Sequence, residues 1–366
     1  MRILMAGGGT GGHLFPALAI AEELRRQEPG VEILFIGSAH GLERKAVARE
    51  GYRFSPVHLR GWNRRLGWET VRFPLVLLRG LIESYRTVRR FRPHAVVGTG
   101  GYVSGPALLW AAVMGLPTLI QEQNSLPGAT TRILSNRVDE VHISFARSRR
   151  YFRRRDHLRL SGNPLRRALG RVDRDRACRA FSFDPDRPVV LITGGSQGAH
   201  SINLAVARDF GRLIERRAQV LWQTGSRDLE EMRRRCGEGD GHTVIADFIE
   251  DMSLAYAAAD VIVCRAGATT VAEVAACGLP AVFVPFPFAT ADHQRYNALA
   301  MVNAGAAEMV LNGQLEKGRL MEILLPLLED QSKRQAMARK SKRFGRPQAA
   351  ADVARAVLRL AGKRRR

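Results

Sequence analysis

Two glycine-rich segments, separated by about half the length of the chain, constrain its fold more than any other feature. Residues 7–13 read GGGTGGH and residues 194–200 read GGSQGAH, and short apolar runs at 3–6 and 189–193 precede them. A buried strand, a glycine-rich loop and a helix N-terminus together form a site for anions. Glycine serves there because it permits tight turns and close approach of the backbone to a ligand. The pattern predicts two nucleotide-binding halves of the α/β class.

The two halves correspond in detail, because His200 follows His13 by 187 residues and three glycines of the first loop recur at the same offset. A repeat near half the length indicates two domains, and 366 residues exceed one typical hydrophobic core. The turn signal SGNP at 161–164 marks the boundary between them. The predicted segments are residues 1–163, residues 164–345 and residues 346–366.

Three further motifs end predicted strands, where parallel sheets place their ligand contacts. They are TGGYVSGP at 99–106, EQN at 122–124 and CRAGATTVAE at 264–273. Gly267 suits the N-terminus of a helix that faces a diphosphate. Glu273 lies about one turn and a half further on, where sugar hydroxyls would reach it.

The formal net charge of +22 draws the protein toward polyanions such as nucleic acid, anionic lipid or a phosphorylated substrate. Residues 60–92 carry nine arginines against two glutamates, interleaved with apolar and aromatic residues such as Trp62, Phe73 and Leu78. This composition is typical of an element at a membrane surface. An ordinary helix that packs on the sheet with solvated arginines is the alternative. Residues 147–159 form a second basic cluster.

Six motifs, in order and spanning nearly the whole chain, carry a family resemblance. They are GGTGGH at 8–13, GGYVSGP at 100–106, EQN at 122–124, GNPLR at 162–166, GGSQGA at 194–199 and CRAGATTVAE at 264–273. The sequence resembles the MurG family of bacterial transferases. That family moves N-acetylglucosamine from UDP-N-acetylglucosamine to lipid I and so forms lipid II in peptidoglycan synthesis.

The resemblance implies the GT-B architecture, in which two Rossmann-like domains face each other across a cleft. The first domain would face the acceptor and the membrane, and the second would bind the UDP-sugar. The last helix, around 349–360, would cross back to the first domain. The expected location is the cytoplasmic face of the cell membrane, as a peripheral protein. The expected partners are UDP-N-acetylglucosamine, lipid I, an anionic membrane surface and other cell-wall synthesis proteins, without nucleic acid.

The resemblance also assigns the site residues. The positions that match donor contacts are Thr10, Gly11, Gly12, Asn124, Arg166, Ser196, Ile249, Ala268, Thr269, Thr270, Val271, Ala272, Glu273 and Gln294. The loops expected to meet the acceptor and its diphosphate contain Gly9, Gly101, Tyr102 and Ser104. Phe248 and Ile249 would hold uracil through apolar contact and backbone hydrogen bonds, and Glu273 would hold the ribose hydroxyls.

Transfer of a sugar requires a base for the attacking hydroxyl and stabilisation of the departing diphosphate. Helix N-termini and Ser196 would stabilise the diphosphate without a metal ion, and neither a metal nor another cofactor is expected. Like the family, the enzyme would invert the anomeric centre in one displacement. His13 is the candidate base because histidine titrates near neutral pH, although it would also suit capping or phosphate contact. Glu122 is the reserve candidate, or else an orienting hydrogen-bond acceptor.

Three other functions stay open at this level. A nucleotide-binding oxidoreductase would also have glycine-rich turns, but the run at 33–38 lacks the acidic residue that ends the second strand of such proteins. A nucleic-acid-binding protein would explain the charge, but the sequence contains no recognised nucleic-acid motif. A related glycosyltransferase that acts on another lipid or aglycone is the nearest alternative.

Overall fold

The computed structural model describes residues 1–39, 43–59, 68–167, 169–237 and 242–363. Within it the chain divides into two compact units. Unit 1 consists of Met1–Arg166 and Pro347–Arg366, and unit 2 consists of Arg167–Arg346. Helices and strands are numbered below in chain order.

Unit 1 is built on one sheet of parallel strands. Its strands are β1 (Arg2–Gly7), β2 (Glu32–Ser38), β3 (Arg53–Val57), β4 (Ala95–Gly100), β5 (Thr118–Glu122), β6 (Glu140–Ile143) and β7 (Leu158–Leu160). Its helices are α1 (Gly11–Gln27), α2 (Glu43–Arg49), α3 (Trp68–Phe91), α4 (Ser104–Val113), α5 (Ala129–Leu134) and α15 (Ala349–Lys363). The strands lie in the order β3-β2-β1-β4-β5-β6-β7.

Strand β1 forms the centre of this sheet, because it pairs with β2 on one side and with β4 on the other. Its residues Ile3 to Ala6 are fully buried. Helices cover both faces of a parallel sheet, so neither face meets water. Its strands are therefore continuous apolar runs rather than alternations of apolar and polar residues. The apolar run that predicted the first strand therefore marks the most buried element of unit 1.

Unit 2 repeats the same arrangement. Its strands are β8 (Val189–Thr193), β9 (Gln219–Gln223), β10 (Thr243–Ala246), β11 (Val261–Cys264), β12 (Ala281–Phe283) and β13 (Ala307–Met309). Its helices are α6 (Arg174–Ala180), α7 (His200–Arg208), α8 (Phe210–Ile214), α9 (Leu229–Cys236), α10 (Met252–Ala258), α11 (Ala268–Cys277), α12 (His293–Asn303), α13 (Arg319–Glu329) and α14 (Gln331–Phe344). The strand order is β10-β9-β8-β11-β12-β13, again with parallel pairing.

The two sheets confirm the predicted α/β class with two Rossmann-like parallel sheets. In each unit the strand order reverses beside the first strand, between β1 and β4 in unit 1 and between β8 and β11 in unit 2. Ligands of open α/β sheets bind outside the carboxyl ends of the strands at this reversal. Both glycine-rich loops that follow β1 and β8 lie at such a point.

Three strands have no counterpart among the apolar runs of the sequence, namely β3, β7 and β13, and each lies at an edge of its sheet. Strand β3 contains Arg53 and Pro56, and β7 begins inside the second basic cluster. An edge strand pairs on one side only, so it tolerates charged residues and proline. These strands were missed because their pairing, rather than their hydrophobicity, defines them.

Helix α3 covers the described part of the basic segment 60–92, while residues 60–67 with Trp62 lie outside the described residues. The buried positions among its described side chains are Gly80, Ser84, Val88 and Phe91, whereas Leu75, Leu78 and Ile82 are among the exposed ones. Each set recurs every three or four residues, so the helix has one packed face and one exposed apolar face. Among the helices that the structure describes, none is sufficiently long and apolar to cross a bilayer.

The C-terminal helix α15 packs in unit 1, where Val353 and Val357 join the core that α1 and β1 form. An ion pair fixes its outer side: Arg359 Nη2 lies 2.6 Å from Oε1 of Glu140 at the start of β6. Nε2 of the buried His142 lies 3.2 Å from the other carboxylate oxygen. The hydrogen bond with His142, followed by that with Arg359, lowers the pKa of Glu140 from 4.5 to about 2.

The depressed pKa of Glu140 makes its contribution to stability dependent on pH. The contribution is complete above the unfolded-state pKa of about 4.5 and is lost as the pH falls from there toward about 2. We expect Arg359→Ala to lower the free energy of unfolding at pH 7 by about 1 kcal/mol, a modest value because Arg359 is half exposed. In urea unfolding, the difference from the wild type should shrink below pH 4.5.

Arg355→Ala is the matched control, because Arg355 lies one turn earlier on α15 and pairs only locally, with Asp352. Surface pairs of this kind contribute about 0–1 kcal/mol. Equal destabilisation by Arg359→Ala and Arg355→Ala at pH 7 would contradict the anchoring role of Arg359.

Candidate active site

The carboxyl ends of β1 and β4 bring two glycine-rich loops of unit 1 into contact. A side chain at Gly9, in the loop after β1, would come within 3.2 Å of the ring of Tyr102 in the loop after β4. Gly101 has a φ of +77°, and a side chain there would collide with the carbonyl oxygen of Gly8. Glycine is therefore required at 101 both for the left-handed conformation and for the close approach of the two loops.

His13 lies in the first turn of α1 and faces these loops. Its Nδ1 is 2.8 Å from Oε1 of Gln123, and its backbone carbonyl accepts a hydrogen bond of 2.8 Å from the Thr99 hydroxyl. A side chain at Gly100 would meet the imidazole ring at 2.8 Å. The ring is thus held between the end of β4 and the segment after β5, and it is half-buried.

The carboxylate of Glu122, at the end of β5, is occupied by backbone groups. Oε1 accepts from the amide of Asn124 at 2.9 Å, and Oε2 accepts from the amide of Gly128 at 3.1 Å. The residue is buried. A carboxylate whose two oxygens accept backbone N–H groups orders the chain around it. This geometry corresponds to the orienting role that the sequence left open for Glu122.

The remaining predicted residues of unit 1 occupy three different environments. Gly9, Thr10 and Gly12 are exposed, and Gly11 is half-buried, at the N-terminus of α1. Ser104 is buried in the loop after β4, and its hydroxyl donates to the carbonyl of Gly101 at 2.9 Å. Arg166 lies apart from these residues at the end of unit 1, where it forms an ion pair of 2.7 Å with Glu50.

In unit 2, Ser196 is exposed in the loop after β8. Gly198 of the same loop lies close to Thr224 and Gly225, which follow β9. Gly198 has a φ of +72°, and a side chain there would collide with the carbonyl oxygen of Thr224. The loop therefore folds back on the end of β9 and presents Ser196 outward. The predicted residues Ala268, Thr269, Thr270, Val271, Ala272 and Glu273 form the first part of α11, with Gly267 as its N-cap.

Glu273 lies in the second turn of α11 and contacts α10. Its Oε2 accepts a hydrogen bond of 2.9 Å from the hydroxyl of Tyr256, which is itself buried. Burial raises the pKa of Glu273 to about 7, although the bond from Tyr256 acts in the opposite direction. A carboxyl group with this pKa exchanges its proton near neutral pH, so a hydrogen-bond donor that reaches it would favour the ionised form.

Two predicted contacts are engaged within the protein. The amide of Ile249 donates to Oε1 of Gln223 at 2.9 Å, so this backbone donor is already used, while Phe248 beside it is half exposed. Oε1 of Gln294 accepts from the amide of Phe286 at 2.9 Å and so ties α12 to the loop after β12. A ligand that bound to the Ile249 amide or to Oε1 of Gln294 would have to replace these internal hydrogen bonds with its own.

Arg265, at the end of β11, is a functional candidate that the sequence did not single out. Its guanidinium donates only 2.9–3.2 Å bonds to neutral oxygens among its described contacts: the carbonyls of Val284 and Pro285 and the side chains of Ser201 and Asn312. Burial lowers the pKa of Arg265 to about 10, so it remains charged at neutral pH. These four partners do not neutralise its charge, which favours a nearby anion.

The predicted residues thus follow the carboxyl ends of strands in each unit, either in the loops or in the helices that come next, whereas Arg166 ends the first segment of unit 1 and pairs with Glu50. Gln123 and Tyr256, which touch His13 and Glu273, were not predicted as site residues. Gln123 lies inside the EQN motif, whereas no local signal marks Tyr256. Within the described ranges, no three His, Cys, Asp or Glu side chains are grouped so that they could hold a metal ion.

Two family models match the chain, one in each half. The model of the glycosyltransferase family 28 N-terminal domain matches residues 3–143, and that of the C-terminal domain matches residues 189–353. Together they cover most of the chain.

Curated relatives match the chain from end to end. The enzyme from Chlorobium limicola named UDP-N-acetylglucosamine--N-acetylmuramyl-(pentapeptide) pyrophosphoryl-undecaprenol N-acetylglucosamine transferase is 42% identical over 365 residues, which are 99% of this chain and 100% of that protein. The enzyme of the same name from Moorella thermoacetica is 41% identical over 365 residues, 98% of either chain.

Solved structures agree with these matches. The crystal structure of Acinetobacter baumannii MurG has a TM-score of 0.77 and 29% identity, with 98% of this chain and 99% of that chain covered. The UDP-GlcNAc 2-epimerase of Neisseria meningitidis has a TM-score of 0.70 at 14% identity, with 98% and 100% covered, and so shares the fold alone. The resemblance drawn from the motifs is confirmed, and the chain belongs to the MurG family of N-acetylglucosamine transferases within glycosyltransferase family 28.

Proposed function

We propose that this enzyme transfers N-acetylglucosamine from UDP-N-acetylglucosamine to the C4 hydroxyl of the N-acetylmuramyl sugar of lipid I, and so produces lipid II for peptidoglycan synthesis. The observation that carries the proposal is the identity of 42% to the Chlorobium limicola transferase over the full length of that enzyme. The name of that relative specifies donor, acceptor sugar and lipid carrier.

Unit 2 would hold the UDP-sugar. In the proposed complex Glu273 accepts hydrogen bonds from the ribose hydroxyls, and Phe248 with Ile249 holds uracil. The diphosphate lies against Ser196 and the N-terminus of α11, whose backbone N–H groups attract anions. The charge of Arg265 supports this arrangement, because its described partners are neutral oxygens. Asn124, Arg166 and Gln294 complete the proposed donor contacts.

His13 would be the general base of the reaction. It removes the proton from the C4 hydroxyl while the hydroxyl oxygen attacks the anomeric carbon from the face opposite the diphosphate. The bond between that carbon and the β-phosphate oxygen breaks, so UDP departs and the configuration inverts. The position of His13 beside the loops with Gly9, Gly101 and Tyr102, which are proposed to meet the acceptor, supports this role. The engaged carboxylate of Glu122 makes it the poorer base.

Docking on the cytoplasmic face of the membrane would bring the enzyme to its lipid-linked acceptor. The exposed face of α3 supports this part of the proposal, because it carries Leu75, Leu78 and Ile82 in its first half. Arg86 and Arg90 follow on the same side of the helix and are exposed. Apolar residues that insert and arginines that pair with anionic headgroups are the two components of a peripheral membrane helix.

We expect His13→Ala to lower kcat for transfer to a lipid I analogue about 10²–10⁴-fold, because the attacking hydroxyl loses its base. Calorimetry should find the affinity for UDP nearly unchanged. In the same assay, the wild type should use UDP-N-acetylglucosamine in strong preference to UDP-glucose and UDP-galactose. A variant that keeps most of its kcat would remove His13 from this role, and failure of the wild type to use lipid I would refute the proposed function itself.

We expect UDP to bind more weakly as the pH falls below about 7, since the ribose hydroxyls would bind the ionised form of Glu273. The loss is at most about tenfold per pH unit. Glu273→Gln should remove this part of the pH dependence, while the titration of UDP itself remains. Calorimetry between pH 6 and pH 8 measures both. Glu322→Gln, an exposed change on α13, is the control, and an equal pH slope in wild type and Glu273→Gln would contradict the assignment.

We expect the double variant Arg86→Glu with Arg90→Glu to bind anionic vesicles more than about tenfold more weakly, since each basic residue contributes about 1 kcal/mol near such a surface. Arg44→Glu with Arg49→Glu changes the charge equally on α2, another helix of unit 1, and should have a smaller effect. Vesicle sedimentation at fixed salt measures both. Equal weakening by the two variants would show attraction by net charge alone rather than docking through α3.

A further inference from the structure

We propose that Gln123 is a positioning residue that fixes the tautomer of His13, with the proton on Nδ1 and the lone pair on Nε2. The inference rests on the proposed function in so far as His13 acts as the base. It assigns the base to one atom, Nε2, and gives a role to a buried amide that neither the motif analysis nor the family relationship explains.

The orientation of the Gln123 amide follows from its surroundings. The side chain is buried, and its Nε2 lies 2.7 Å from the carbonyl oxygen of Thr99 and 3.0 Å from that of Gln121. Carbonyl oxygens only accept hydrogen bonds, so the group that faces them must be the NH₂ and not the carbonyl of the amide. The reversed amide would place oxygen against oxygen at both contacts. Oε1 of Gln123 therefore points to His13.

The tautomer of His13 follows from this orientation. Oε1 of Gln123 carries no proton, so the atom 2.8 Å away, Nδ1 of His13, must donate. A neutral imidazole has one N–H, and its other nitrogen then carries the lone pair. With Nδ1 protonated, Nε2 is the atom able to accept a proton from a substrate hydroxyl. The opposite tautomer would set two lone pairs against each other across the same contact.

A second buried amide, the side chain of Gln121, supports this orientation of the Gln123 amide. Nε2 of Gln121 donates to the hydroxyl of Ser144 at 3.1 Å and to the carbonyl of Gly162 at 3.3 Å, so its own Oε1 is turned toward Nε2 of Gln123 and accepts from it. Both glutamines are almost completely buried. The hydrogen bonds thus all donate in one direction, from His13 to Gln123 and from Gln123 to Gln121. Gln121 lies in β5, and Gln123 directly follows this strand.

The backbone of His13 is fixed independently of Gln123. Its carbonyl accepts from the Thr99 hydroxyl at 2.8 Å, and its ring packs on Gly100. Removal of the Gln123 acceptor should therefore leave the ring near its place but free the choice of tautomer. This separation allows the positioning role to be distinguished from a role in folding.

The experiment uses the full-length protein labelled with ¹⁵N-histidine, at about pH 8.5, where ordinary imidazole groups are neutral. The His13 signals are identified by their loss in His13→Gln. We expect Nδ1 of wild-type His13 to be protonated and Nε2 to be unprotonated. In Gln123→Met, which has a similar length but no amide, we expect a mixture of tautomers or the Nε2-protonated form. The kcat should fall about 5–50-fold, less than in His13→Ala, with an unchanged KM for UDP-N-acetylglucosamine.

Gln219→Met is the matched control, because it removes an equally buried amide that bonds to the backbone of Asp184 in unit 2 and takes no part in the support of Gln123. We expect it to retain the wild-type tautomer and most of the wild-type kcat. Thermal unfolding and UDP binding report whether each variant folds, and Gln123→Asn, whose shorter amide withdraws the acceptor, replaces Gln123→Met should that variant unfold.

Two results would overturn the inference: an Nε2-protonated His13 in the wild type, which needs no variant, or a wild-type tautomer in folded Gln123→Met. An equal loss of kcat in Gln123→Met and Gln219→Met would show that Gln123 has a structural role only. The failure of the proposed function is distinct, because it appears as the inability of the wild type to use lipid I. Full turnover in His13→Ala would remove the base role of His13, whatever tautomer the spectra record.

Discussion

The close approach of loops at the carboxyl ends of parallel strands is the constraint on which the rest of the structure depends. In unit 1 the loop after β4 touches the loop after β1 at Gly101 and Gly8, and in unit 2 the loop after β8 folds against Thr224 at Gly198. A methyl group on Gly101 or on Gly198 would collide with a backbone oxygen. Because these contacts hold the loops in place, helix N-termini and a few side chains share one location in each unit.

Two buried carboxyl groups, one in each unit, differ in the direction in which their pKa is shifted. Glu140 and Glu273 are both withdrawn from water, yet the pKa of the first falls to about 2 and that of the second rises to about 7. The difference lies in their partners, because Glu140 meets Arg359 and His142 whereas Glu273 meets a neutral tyrosine hydroxyl. The first carboxylate pairs with the C-terminal helix and stays ionised at neutral pH, whereas the second titrates close to neutral pH.

The environment of His13 shows how a scaffold orients an imidazole without a charged partner. Glu122 is near in sequence to Gln123, but its carboxylate is taken up by the amides of the following loop. The neighbour of His13 is instead a neutral amide, whose direction is set by Thr99 and Gln121. A neutral acceptor orients the imidazole through one nitrogen and places no charge beside it, which suits the base role proposed for His13.

The sequence by itself determined the α/β class, the two-fold repeat, the glycine-rich loops and the family, because apolar runs and glycine patterns act over a few residues. It missed the edge strands β3, β7 and β13, which pair on one side only and lack the continuous apolar run of a buried central strand. Only the tertiary structure decided which oxygen faces His13, that Tyr256 meets Glu273 and that Arg166 lies beside Glu50. Hydrogen bonds between distant residues depend on the packing of whole strands and helices, and no local pattern in the chain encodes them.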